Sequence, residues 1–163
     1  MTQPTESSDV RTLVAAYLTD GKLMQFATAV DNQPWVAHLW YAMDEGLRLY
    51  FISRNDRRHC RELRAQNRVA GAIVAIELAG LGQKVRGLAF QGTADELSDG
   101  ALEEGYSHYA RRWPLVTQQV SLDDMQRGVS PVRVYRFDPT LYVLFDELNF
   151  PTQPRQELPI QSR

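Results

Sequence analysis

The sequence predicts a mainly β (α+β) protein, a β-barrel or strongly curved antiparallel sheet with flanking helices. Three observations carry that prediction. About seven short runs are rich in β-branched and aromatic residues, turn-forming residues separate them, and only two or three segments show helical spacing. At 163 residues, with 44% hydrophobic and 23% charged content, the chain is most simply one soluble domain.

Val10, Leu13, Val14, Tyr17 and Leu18 recur at helical spacing, with Ser7, Ser8 or Asp9 as caps and a stop near Asp20-Gly21. LMQFATAV, WVAHLWYAM and LRLYFIS follow, separated by Asp31-Asn32-Gln33-Pro34 and Asp44-Glu45-Gly46. They predict a three-stranded antiparallel meander. A short helix from about Asp56 to Gln66 comes next. VAGAIVAIEL and VRGLAFQGTADEL read as two strands joined through Gly80-Leu81-Gly82. Ser98 caps a helix carrying Leu102, Tyr106, Tyr109 and Trp113, stopped by Pro114. VRVYRFD and LYVLFDE read as two strands split by Pro139-Thr140. The domain is expected over residues 1–147, and residues 148–163 as a proline-containing tail, extended or disordered unless a partner holds it.

Charge and composition narrow the function. A net charge of −2 argues against general nucleic-acid binding, and no apolar run reaches membrane-spanning length. The polar opening MTQPTESSDV lacks an apolar signal core, and Cys60 stands alone, so a reducing, cytoplasmic setting is expected. His38, His59 and His108 are far apart, so no metal is expected. Cys60 reads as a packing residue.

Against this mild acidity, six of the 18 Lys and Arg residues fall between Arg54 and Arg68. With Asp56 as N-cap, Arg57, Arg58 and His59 occupy the first helical turn, where each cation costs roughly 0.3–1 kcal/mol against the helix dipole. An anion at that point reverses the sign. Free N–H groups, two guanidiniums, a possible imidazolium and the Ser53 hydroxyl would together cradle a phosphate. Arg61, Arg64 and Arg68 continue one helical face and read as solvated surface. Phosphate contacts alone do not give micromolar affinity, which needs about 8 kcal/mol net. A planar ring against Trp35, His38, Trp40 or Tyr41 would supply the rest, although core or interface packing explains these aromatics equally well. Phosphate plus ring describes a nucleotide-like cofactor.

The order of these pieces resembles the FMN-binding split-barrel family related to pyridoxamine 5′-phosphate oxidase, over roughly residues 10 to 147. The resemblance rests on the hairpin from Thr28 to Pro34, on YFISRNDRRHCREL, and on Phe90 to Ala94. It implies a split barrel that forms a homodimer with FMN at the interface. Ser53 would match the hydroxyl ending the third strand, Arg58 and His59 the cationic pair of the phosphate turn, and Gln91 a position facing the flavin. The oxidase's two strand-2 cations are Ala37 and Ala42 here, and its C-terminal substrate signature is absent. The expectation is therefore an FMN-binding oxidoreductase of unassigned small-molecule substrate that is not the oxidase itself. The alternatives are a non-enzymatic module for flavin, deazaflavin or haem on the same fold, and an arginine surface for a protein partner.

Overall fold

Asp31 and Asn32 both take positive φ (51° and 59°), the backbone of a two-residue hairpin turn that asparagine and aspartate tolerate. In the computed structural model, which describes residues 6–161, this turn joins β1 (Leu23–Val30) to β2 (Gln33–Trp40) in an eight-pair antiparallel ladder. Gln33 and Pro34 belong to β2, an edge strand, where a proline costs no ladder hydrogen bond. Before the hairpin lies α1 (Glu6–Asp20), which begins ahead of the expected caps. The side chains of Ser7, Ser8 and Asp9 lie outside the described residues.

The expected meander is corrected at its third strand. After β3 (Ala42–Met43), the run that becomes β4 (Leu49–Arg54) pairs with β3 and with the distant β7 (Val132–Asp146), not with β2. The chain then forms α2 (Arg58–Ala65), β5 (Arg68–Ile73) and β6 (Arg86–Glu96), three further helices, β7, and finally β8 (Arg155–Pro159). Those helices are α3 (Asp99–Arg112), α4 (Val116–Gln119) and α5 (Leu122–Gln126). The sheet runs β2-β1-β5-β6-β7-β4-β3, with β8 also on β7. No helix among the described residues is long and apolar enough to cross a membrane.

One sequence expectation fails near β7. Pro139-Thr140 does not divide two strands, because β7 runs through it. On one edge β4 pairs as far as Phe137 and β8 begins at Leu141, so the missing proline N–H falls in the gap between partners. On the other edge the β6 register shifts between Gln91 and Gly92, opposite the same point. The C-terminal stretch that includes Arg155–Pro159 is extended, and β7 itself holds it.

Inward-facing Met24, Phe26, Phe51, Ile73, Phe90, Phe137, Tyr142 and Leu144 fill the barrel, and α1 packs Val14, Tyr17 and Leu18 onto the same cluster. A second cluster forms where Leu102, Tyr106 and Tyr109 of α3 meet Ala42, Tyr50 and Val134. The helices therefore cover the outer face of β3, β4 and the first half of β7. The outer face of β2, β1, β5, β6 and the second half of β7 stays bare. This bare half bears on function.

Candidate functional site

The turn between β4 and α2 begins at Arg54, whose guanidinium holds Asp56 through two hydrogen bonds of 2.9 and 3.1 Å. Asp56 is thus engaged, and Arg57, in extended conformation (φ −68°, ψ 150°), is the N-cap in its place. The sequence expectation of an Asp56 cap is corrected accordingly. No side chain caps α2, and its first turn contains no acid. Arg57 is exposed, and no carboxylate among the described residues pairs with it. A helix end of this kind leaves N–H groups and a positive dipole without an internal counterpart.

Ser53 shares the inward parity of Leu49 and Phe51, and its hydroxyl lies 2.9 Å from His59 Nε2. His59 is only 7% exposed. Burial, reinforced by the Arg57 charge, pulls the imidazole below its ordinary value, so near neutral pH it is uncharged. The expected imidazolium is corrected by that desolvation. His59 holds Ser53 and adds no cation. Cys60 beside it is fully buried and its thiol is raised by burial, which leaves it a packing residue.

Arg58 is engaged with Glu62 and Trp35. Its Nε donates to Glu62 Oε1 at 2.7 Å, and its guanidinium lies 4.5 Å from the centre of the Trp35 ring. Glu62 also accepts from the Thr28 hydroxyl. Burial alone would raise the Glu62 carboxyl, but these two donors outweigh it and hold it below the usual range. Arg61 and Arg64 are not simply solvated. They donate back to the carbonyls of Asp56 and Asn55 respectively, tying down the turn.

His38 and Gln91 lie elsewhere. His38 is exposed on the outer face of β2, opposite Gln25. Gln91 is exposed on the outer face of β6, in register with Ala70 on one side and Leu141 on the other. It lies in a groove of about 500 Å³ whose walls include Ala27, Ala29, Ala70, Arg68 and Thr93. The predicted residues therefore fall into two groups on opposite faces of the sheet. Thr28 links them: its main chain borders the groove and its hydroxyl reaches Glu62. Of the other ring candidates, Tyr41 is buried, donating to Leu18 O at 2.7 Å, and Trp40 packs edge-on against Trp113 at 4.8 Å. Sequence reasoning missed Glu62 and the alanines. The Arg58-to-Glu62 spacing of four, and the alternation of small residues in β1 and β5, were the available signals.

A family profile described as pyridoxamine 5′-phosphate oxidase matches residues 11–142. The chain belongs to that family. Solved structures share the family's fold. A haem-binding protein from Mycobacterium smegmatis superposes with a TM-score of 0.73 at 14% identity, covering 98% of this chain and 60% of its own. The chain thus spans about three fifths of that protein. An FAD-binding protein from Mesorhizobium loti gives 0.60 at 22% identity, covering 81% of this chain and 89% of its own. The haem storage protein HutZ from Vibrio cholerae gives 0.62 at 15%, covering 78% and 88%. No curated protein matches the chain in sequence. Identities this low show the fold alone, and the fold accommodates both flavin and haem binders.

Proposed function

We propose that the protein binds FMN between two copies of the chain and serves as an oxidoreductase for a small molecule. The observation that carries the reading is the uncapped, acid-free start of α2, with Arg57 at its cap and the Ser53–His59 pair behind it. These groups fit an anion: they offer backbone N–H donors, one guanidinium without a carboxylate, and a hydroxyl. The two faces of the site call for a second copy. A ligand held at α2 of one copy needs a planar surface for its ring, and the bare outer face of another copy offers one.

On that face Ala27, Ala70 and Leu141 would exclude water from a ring, and the Gln91 amide offers both a donor and an acceptor to its polar edge. Two charge-assisted hydrogen bonds at α2 contribute about 3–6 kcal/mol gross. Micromolar binding needs about 8 net, so burying the ring must supply the larger share. When bound, the isoalloxazine supplies the electron-transfer chemistry, and the chain positions it and keeps water away.

The test is the absorption spectrum of the purified protein, followed by titration with FMN. Flavin bands, or quenching of FMN fluorescence with a micromolar midpoint, are expected. A colourless protein that leaves FMN fluorescence unchanged refutes the reading. Bleaching of the bound flavin by NADH or NADPH, with colour restored by an acceptor, separates an enzyme from a carrier. Haem is the second reading, favoured by His38, an exposed imidazole on the bare face of the type that serves as an axial ligand. A Soret band in the same spectrum would select it.

A further inference from the structure

One edge of β7 is left uncovered at its proline, since β4 pairs only as far as Phe137 and β8 only from Leu141 onward. A cavity of about 940 Å³ opens there, bounded also by α1, the turn between β3 and β4, and the stretch after β8. It shares Thr93 and Thr140 with the groove beside Gln91, but its charges come from other elements. Arg11, Arg48 and Arg136 line it together with Glu45 and Asp138. Two of the guanidiniums are already neutralised. Arg48 Nε donates to the buried Asp44 carboxylate at 2.6 Å, and Arg136 Nε to Asp138 at 2.8 Å. Arg11 donates only to the main-chain carbonyl of Glu45, at 3.2 Å, and no carboxylate among the described residues pairs with it. The Glu45 carboxylate is exposed and likewise has no partner among the described residues. One uncommitted charge of each sign therefore faces the cavity.

We propose that this cavity binds a small zwitterion of the amino-acid or short-peptide type, with its carboxylate on Arg11 and its ammonium on Glu45. The carbonyl of Glu45 occupies one Arg11 N–H and leaves the others for a carboxylate, which the guanidinium fork matches in shape. A simple anion would gain Arg11 but face Glu45 and Asp138, and a simple cation would gain Glu45 but face Arg11. Each is therefore disfavoured against a molecule that carries both signs. Pro139, Pro159 and Ile160 give an apolar wall to whatever separates the two ends. The volume admits more than a single amino acid, so short peptides belong to the same class. Neither contact depends on flavin. With a ring in the Gln91 groove, the shared Thr93 and Thr140 would put the zwitterion at its edge, the place for the small molecule of the proposed reaction.

The experiment is a nuclear magnetic resonance titration of the purified chain, with no flavin added, using leucine and trialanine as probes. Shifts at the amides of Gly46, Thr93 and Thr140, with a millimolar or tighter midpoint, are expected from at least one of them. The tighter of the two distinguishes a free amino acid from a peptide. Its N-acetyl and C-amide derivatives, each lacking one charge, should bind about tenfold more weakly. Glu45→Gln keeps the carbonyl that Arg11 uses, and in that variant the zwitterion should bind no better than its N-acetyl form. Silence of those amides with both probes overturns the proposal. So does a capped form that binds within about threefold of its parent, or a Glu45→Gln chain that retains the full preference for a free ammonium. Flavin binding is read separately by quenching, so either conclusion can fail without the other.

Discussion

Replacing His59 with glutamine isolates one proton. In the folded chain the imidazole is buried against Ser53 and kept neutral by desolvation and by Arg57, while Glu62 pulls weakly the other way. The unfolded chain, with an ordinary histidine near pH 6.5, binds that proton more readily. Acid therefore favours unfolding: stability is unaffected by this group well above pH 6.5 and is lost as pH falls below it. One proton gives a slope of at most about 1.4 kcal/mol per pH unit. Between pH 6.5 and 5.5 the loss is thus at most about 1.4 kcal/mol, or about 3–6 °C in midpoint for a chain of this length. Thermal melts followed by circular dichroism from pH 5.5 to 8, at fixed ionic strength, measure it. His59→Gln should melt lower at pH 8 by the loss of one buried hydrogen bond, about 0.5–1.5 kcal/mol, and should show a shallower acid limb. Equal acid slopes in the two proteins would refute the buried, neutral assignment.

Three further outcomes follow from other parts of the fold. Arg112 donates to the carbonyls of Leu18, Thr19 and Gly21 and lies over the Tyr41 ring, closing the C-terminal end of α1. Arg112→Met should cost about 2–4 kcal/mol and lower the urea midpoint, a loss that Arg112→Lys only partly recovers. A Cβ on Gly92 would stand 2.1 Å from Asp138 O and 2.9 Å from Pro139 Cα, both main-chain atoms. Gly92→Ala should therefore destabilise by about 1–3 kcal/mol, read as an earlier chemical denaturation midpoint. Ala70→Glu, on the bare face beside Gln91, should lower FMN affinity about tenfold or more while leaving the melting midpoint within about 2 °C, because its side chain points away from the barrel.

The hairpin was legible because Asp31-Asn32 states its own turn chemistry within two residues. The place of β4 was not. Its partner is some eighty residues further on, and nothing within LRLYFIS says that Tyr50 will face Arg136 rather than β2. Pro139 misled for a related reason, since a local breaker becomes harmless where two neighbouring strands happen to meet. At the site, the sequence placed Ser53 and His59 around one expected anion, but their direct hydrogen bond was not legible in it. The fate of Arg58 depended on Trp35 and Thr28, residues from two strands that only the folded barrel brings beside α2. Charge counting could show that cations were present, but not that one of them was already taken.

The helices packed on the first half of β7 also give a single strand two rules for tolerating change. At Val134 and Tyr135, neighbours in sequence that point to opposite sides, both side chains are buried. From Leu141 onward, Tyr142, Leu144 and Asp146 are buried while Phe145 looks outward and is exposed. Substitution across β7 should therefore be refused at both Val134 and Tyr135, and only at alternate positions from there on, where Arg136 and Asp138 already stand part-exposed between buried neighbours. Selection acting on the later outward positions would then report on whatever meets that surface, with little interference from folding.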